Sequence, residues 1–194
     1  MFKGARMRQE EQTEEGMLIT RARQGNVEAF ESLVKKYQYC IYSLCRQMTG
    51  AHQSADDLSQ ETFIKAYFAL HTFKDGMSFF TWIRKIALNS TLNFLKSKKR
   101  EEPLGRREET LTGPSTSSGG ELPQEKLQRN QLEQKFTEAL RALPPEQKAV
   151  FILRVFEDLS YNDISEVLKI PRGTVMSRLN RARKRLREEM LEYL

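Results

Sequence analysis

Between Arg172 and Arg187 the chain carries seven basic residues, Arg172, Arg178, Arg181, Arg183, Lys184, Arg185 and Arg187, and no acid. Cations at that density suit a polyanion. Thr174, Ser177 and Asn180 are interleaved with them, and such side chains can donate to or accept from base edges. On a helix, Val175, Leu179, Ala182 and Leu186 fall within about 60° of one another. Ser177, Asn180, Arg181 and Lys184 then lie opposite, flanked by Arg178 and Arg185. One face would be buried and the other would meet a polar, negatively charged surface.

A second basic stretch has a different character. From Gly76 to Arg100 there are six basic residues, Arg84, Lys85, Lys96, Lys98, Lys99 and Arg100, again with no acid. Phe73, Phe79, Phe80, Trp82 and Phe94 are interleaved with Lys74, Arg84, Lys85, Asn89, Asn93 and Lys96. Rings beside cations suit unstacked bases, which stack on aromatic faces while the cations hold the backbone. Trp82, Ile83, Ile86 and Ala87 read as core; Phe73 and one of Phe79 or Phe80 read as base contacts.

The remaining chemistry is sparse. Asp56, Asp57 and Glu61 could be imagined as a metal site, but a helix N-terminus accounts for the paired acids more simply. Cys40 and Cys45, five residues apart on a helix, are beyond disulfide reach and read as small buried apolar residues. His52 and His71 show no metal spacing with them. No Gly-rich phosphate loop and no nucleophile–base pair is visible, so neither catalysis nor a cofactor is expected.

Composition bounds the elements that must position these groups. The 194 residues carry 32 Lys+Arg and 26 Asp+Glu, a net charge of +6, with 39% hydrophobic residues. The two basic stretches hold 13 cations, so the remainder sums to −7. Enough apolar surface exists to fold. No apolar run approaches the roughly 20 residues a bilayer requires, and residues 1–16 lack the apolar segment of a signal peptide. The expectation is a soluble, cytoplasmic chain with no membrane insertion.

Residues 101–123, EEPLGRREETLTGPSTSSGGELP, have the composition of a flexible linker. The chain therefore divides into a tail over 1–16, a helical domain over 17–100, the linker, and a second helical domain over 124–194. Each small domain is expected to bury a core of its own. The predicted fold is all-α. After a short helix over Met17 to Ala22, Asn26 caps a helix whose apolar positions (Phe30, Leu33, Val34, Tyr37, Ile41, Leu44, Met48) step by three and four to a stop at Gly50. Ser54 and Asp57 resemble a capping box opening a helix over Ala55 to Leu70, whose apolar residues surround it, leaving one face for a protein partner. A helix over Ser78 to Lys99 follows.

In the second domain, Leu132, Phe136, Leu140 and Leu143 form a stripe broken by Pro144-Pro145, and a helix runs from about Glu146 to Glu157. Ser160 and Asp163 then cap a short helix carrying Ile164, Val167 and Leu168. Lys169 to Gly173 turn, and a second helix begins at Thr174. Two short helices joined by such a turn, the second basic and polar-faced, make a helix-turn-helix that fits the major groove.

The order DDLSQETFIKAYFAL, FFTWIRKIALNSTLNFL, linker, LPPEQKAVFILRVFEDLSYNDISEVLKIPRGTVMSRLNRARKRLR resembles a bacterial RNA polymerase sigma factor of the extracytoplasmic-function group. That group keeps only regions two and four. The resemblance covers about residues 17 to 100 and 124 to 190. It implies that Asp57, Gln60, Glu61, Ile64 and Lys65 dock on the clamp coiled coil of the polymerase β′ subunit. It places Lys85, Asn89, Asn93 and Lys96 on the helix addressing the −10 element. Phe73, Lys74 and Phe79 belong to the adjoining loop and helix start, where residues 73–78 would hold a flipped-out base. Arg172, Thr174, Ser177, Arg178, Asn180, Arg181, Lys184 and Arg185 fall on the element reading duplex −35 DNA. The β-subunit flap and an anti-sigma factor are implied as further partners. Lys74-Asp75-Gly76 departs from the family habit of Gly directly after the basic residue. A stand-alone helix-turn-helix regulator is the rival reading. Fully extended, the 23-residue linker spans at most about 78 Å, enough for two DNA turns of about 34–36 Å.

Overall fold

The computed structural model describes residues 14–74, 76–101 and 123–191. The expected tail, apart from its last residues, and linker positions 102–122 lie outside the described residues, as does Asp75. Helices account for the architecture, and no strand occurs among the described residues. Residues 14–23 are helical (α1), starting ahead of the expected Met17. Then come α2 (Val27–Thr49), α3 (His52–Ala69), a 3-10 turn (Leu70–Thr72) and α4 (Phe79–Glu101). After the undescribed stretch follow α5 (Pro123–Ala142), α6 (Pro145–Val155), α7 (Tyr161–Leu168) and α8 (Arg172–Met190).

Local signals set most boundaries. The Asn26 side chain accepts the Ala29 amide at 2.7 Å and starts α2, while Gly50, at φ +76°, ends it in the left-handed conformation that costs glycine least. The expected Ser54–Asp57 capping box is absent, because α3 begins earlier. Its N-cap is Ala51, which offers no side-chain acceptor. Thr49 holds this corner instead, its hydroxyl donating to the Cys45 carbonyl at 2.8 Å and accepting the Ala51 amide. Only two residues separate α2 from α3, so Ser54 is already inside the helix.

α2, α3 and α4 pack together around Leu33, Ile41, Leu44, Met48, Phe79 and Ile83, all essentially inaccessible. α5, α6, α7 and α8 close around Val150, Ile152, Leu153, Ile164, Val175 and Leu179. Both sets of buried side chains belong to one contiguous cluster, because α6 lies against α2 and α4, and α7 touches α4. The two segments thus share a seam, beyond the separate cores expected.

That seam is built on cations. Arg84 on α4 has only 4% of its side chain exposed and meets Glu157, just after α6, at 3.3 Å. Lys148 on α6 is buried, and its ammonium donates to the carbonyls of Met48 and Arg141, each at 3.2 Å. Arg141 donates to the Gly50 carbonyl at 3.0 Å. A Cβ on Gly50 would come 2.6 Å from Arg141 Nε, so close approach as well as backbone geometry requires glycine there. Burial, reinforced by the Arg141 charge, pushes the Lys148 ammonium down to about 8 from 10.5.

Lys148 gives the fold a pH dependence. The native state releases the Lys148 proton near pH 8 and the unfolded chain near 10.5. Between those values the unfolded chain holds more protons, so this group's contribution to stability rises with pH. Burial holds the Cys45 thiol up, at about 11, and the Tyr37 hydroxyl higher still, so both oppose the trend. A difference measurement isolates Lys148. The unfolding free energy of wild type relative to Lys148→Met, from urea titrations, should rise from pH 8 to 10. A pH-independent difference would show Lys148 titrating as it does in the unfolded chain.

Candidate nucleic-acid interface

The helix-turn-helix is fixed by interlocking caps. Ser160 Oγ accepts the Asp163 amide at 3.2 Å, and the Asp163 carboxylate accepts both the Ser160 amide at 3.2 Å and the Ser160 hydroxyl at 2.6 Å, the expected capping box. Lys169 then takes up φ +53° and closes α7. The Ser165 hydroxyl donates to the Ile170 carbonyl at 2.6 Å, and the Ile170 amide donates back to the Ser165 carbonyl. Pro171 caps α8, which starts at Arg172, two residues ahead of the expected Thr174. The proline's fixed φ suits a helix entrance, and its carbonyl accepts from Thr174 and Val175.

With the turn pinned, α8 divides as its spacing requires. Val175, Leu179, Ala182 and Leu186 are buried. Arg172, Ser177, Asn180, Arg181, Lys184 and Arg185 are exposed; Thr174 and Arg178 are half-buried. Glu188 lies 3.8 Å from the Lys184 ammonium, an exposed pair worth little against a polyanion.

The first domain departs from expectation at its rings. Phe73 is 5% and Phe79 0% exposed, so neither presents a face for a base to stack on. Phe73, Phe79 and Trp82 form a triangle with centroids 5.5–5.8 Å apart, and Tyr37 of α2 packs on Phe79 at 5.6 Å. Phe80 is half-buried, stacked on Tyr37 at 5.5 Å and covered by the Arg84 guanidinium at 4.9 Å. Burying large rings together outweighs leaving them free for a ligand. Lys74, Gly76, Met77 and Ser78 are exposed around this plug. Asn89, Asn93 and Lys96 share one exposed face of α4, while Lys85 is half-buried.

α3 presents a third surface. Asp57, Gln60, Ile64 and Lys65 are exposed and Glu61 is half-buried, paired with Lys65. Lys65 also donates to the Ser90 hydroxyl on α4 at 3.0 Å. Phe63, Ala66 and Leu70 turn inward, whereas Ile64 and Phe68 remain 59% and 73% exposed. Positions 57, 60, 61, 64 and 68 make one stripe at helical spacing. Phe68 therefore extends the expected set, and the same three-and-four spacing was the signal for it. A further feature had no sequence signature: Leu132, Phe136, Phe151, Leu186 and Met190 line a groove of about 530 Å³ between α5 and α8, rimmed by Arg183 and Arg187. Its α8 residues lie roughly opposite Arg181 around the helix axis.

Of the cysteines, Cys45 is buried against Thr91 but Cys40 is exposed, which corrects the expectation that both are core. No cluster of three or more His, Cys, Asp or Glu suited to a metal occurs among the described residues, and no described helix is long and apolar enough to cross a membrane.

Known proteins share this arrangement. The family description Sigma-70 region 2 matches residues 33–101, and Sigma-70, region 4 matches residues 133–186. The RNA polymerase sigma-H factor of Pseudomonas aeruginosa is 36% identical over 176 residues, 89% of this chain and 91% of that protein. The ECF RNA polymerase sigma factor SigW of Bacillus subtilis is 32% identical over 89% of this chain and 94% of its own. The ECF RNA polymerase sigma-E factor of Haemophilus influenzae is 33% identical over 94% and 95%. The sigma factor RpoE, solved in complex with the anti-sigma factor NepR from Bartonella quintana, superposes with a TM-score of 0.66 at 25% identity, covering 83% of this chain and 96% of that one. CnrH, solved with the cytosolic domain of CnrY, shares the fold at a TM-score of 0.62 and 22% identity, over 92% and 97% of the two chains.

The buried rings generate a clear expectation. Phe79→Ala should cost about 3–5 kcal/mol of stability, and Phe68→Ala less than about 0.5, in urea denaturation. A Phe79→Ala protein as stable as wild type would return that ring to the ligand-facing surface.

Proposed function

Because the chain belongs to the extracytoplasmic-function group of RNA polymerase sigma factors, we propose that its three exposed surfaces divide the work of promoter recognition. The exposed row on α8, Arg172, Ser177, Asn180, Arg181, Lys184 and Arg185, reads duplex −35 DNA, with Thr174 and Arg178 at its edge. Asn180 and Arg181 reach base edges while the flanking cations hold phosphates. Lys74, Lys85, Asn89, Asn93 and Lys96 receive the −10 strand. Phe73 and Phe79 support that surface from beneath and do not stack on a base.

The stripe of Asp57, Gln60, Glu61, Ile64 and Lys65, extended by Phe68, is the surface for the β′ clamp coiled coil. Exposed apolar side chains beside charges suit a protein rather than DNA. The groove lined by Phe136, Phe151 and Leu186 suits an apolar segment of the β flap, since it faces away from the −35 row. An anti-sigma factor is the remaining partner, as for the similar RpoE.

The mechanism is differential binding without chemistry. Anchored by −35 contacts, the chain holds −10 bases only once they are unstacked, so binding favours the melted state over the duplex. The observation that carries this reading is the pairing of a pinned, basic, exposed α8 with an acid–apolar face on α3 in the same chain. A stand-alone regulator would have no use for the second. Residues 17–100 and 124–194 would serve as the two working domains, joined across 101–123.

Run-off transcription with core polymerase on a genomic library, with start sites mapped, tests the whole reading and yields both promoter elements. Arg181→Ala should weaken holoenzyme binding to promoters by about 1–3 kcal/mol. Footprints and transcripts identical to wild type would remove Arg181 from the DNA face. Promoter binding should also fall steeply with salt, and a flat titration would overturn the phosphate contacts.

A further inference from the structure

The DNA- and polymerase-facing surfaces leave α1 without a task. Its buried side, Ile19 and Ala22, belongs to the core, yet its polar groups reach further than packing requires. Near its start, the Glu15 carboxylate accepts from the Lys36 ammonium at 2.6 Å and from the Tyr37 hydroxyl. At its last residue, Arg23 Nε donates to the Leu70 carbonyl at 3.4 Å, and the guanidinium stands 5.4 Å from the centre of the Phe73 ring. Tyr37 packs on Phe79 and Phe80, and Phe73 on Phe79 and Trp82. α1 thus grips, from both of its ends, the ring cluster at the root of the 73–78 loop.

That loop has little of its own to fix its shape. Among its described residues the Met77 amide donates to the Lys74 carbonyl at 3.3 Å, Gly76 takes φ +85°, and Lys74, Gly76, Met77 and Ser78 are exposed. With Phe73 and Phe79 buried, a flipped-out base has to be held by the loop backbone and these exposed groups. Such a pocket is only as selective as its supporting shell is well placed. The exit of the loop is fixed by Phe79 inside the cluster. Its entry depends on Leu70, whose carbonyl accepts the Phe73 amide at 3.1 Å as well as Arg23 Nε. A cation facing the Phe73 ring, with a charge-assisted hydrogen bond one turn earlier, fixes both the position and the direction of the chain where the loop begins.

We propose that Arg23 is a positioning residue for promoter opening: carried by α1, it sets the entry of the 73–78 loop so that the loop takes one unstacked −10 base. The role rests on the reading of 73–78 as the base-holding loop, and it supplies what makes that loop selective. Arg23 acts through Phe73 and Leu70 and touches no DNA. Lys85, Asn89, Asn93 and Lys96 of α4 bind the strand independently of it. Loss of Arg23 therefore removes the preference for a base at one position and leaves general strand binding in place.

Abasic scanning with holoenzyme tests this. Fluorescein-labelled single strands carrying the −10 element, chosen from mapped start sites, are bound intact and with each base removed in turn. Wild type should show one position whose base contributes about tenfold to affinity. Arg23→Ala should reduce that peak to about twofold, with the penalties at other positions and the binding of duplex −35 DNA unchanged. Arg23→Lys, which keeps a cation by the ring and a donor for Leu70, should restore the peak. Arg23→Gln, which keeps a donor without the charge, carries the same expectation as alanine should that variant fail to fold. A peak of wild-type height in Arg23→Ala or Arg23→Gln overturns the proposal. An equal loss at every position overturns it too, since that reports only a loosened domain. A flat profile in wild-type holoenzyme rejects the base-holding loop and the role of Arg23 with it, whereas a peak indifferent to Arg23 rejects the positioning role alone.

Discussion

Everything the first domain presents depends on how α4 is anchored at its start. Phe79 is its first residue, fully buried between Tyr37 of α2, Phe73 of the preceding loop and Trp82 one turn on. Edge-on and tilted rings of that size fix rotation about the helix axis as well as position. With Phe79, Ile83 and Ala87 pointing inward, Asn89 and Lys96 fall about 120° and 140° from the centre of that face, and Asn93 lies at its edge; all three are exposed. The same anchor ties the 73–78 loop down, since Phe73 cannot leave without opening the cluster. The Arg23 guanidinium, 5.4 Å from the Phe73 ring, closes it from α1.

Much of this was legible from spacing alone. The α8 face followed from a period of 3.6, because four apolar residues on one side force the polar ones to the other. The caps at Asn26, Gly50 and Ser160 were legible because each motif satisfies its backbone groups locally. The reading failed where tertiary packing decided. Ser54–Asp57 has the letters of a capping box, yet the two-residue corner before it had already started the helix. Phe73 and Phe79 stand among lysines and arginines, but a ring's neighbours in sequence do not say which side of the loop it fills. Cys40 and Cys45 are too close in sequence for their difference in burial to show in residue type.

The seam between domains lay furthest from view. Arg84 stands in sequence among the cations of the aromatic-basic stretch, and nothing sets Lys148 or Arg141 apart, yet Arg84 and Lys148 are buried against partners more than 70 residues distant. No local pattern encodes a contact of that separation. Its composition also differs from a domain core, with carbonyl oxygens and the carboxylates of Glu157 and Glu146 opposite positive groups. An interface of this kind resembles a transient protein–protein contact more than a bundle interior.

The two thiols of α2 divide in a way that bears on handling the protein. Cys45 is buried and its thiol is held up at about 11, so at neutral pH it carries almost no thiolate. Cys40 is exposed on the same helix. An alkylating dye or a mild oxidant therefore meets one sulfur per chain. Because the two lie five residues apart along one helix, oxidation cannot close a ring within it; it would instead join two chains through Cys40. The sequence shows two equal cysteines, but chemically the folded protein has a single handle, on the first domain.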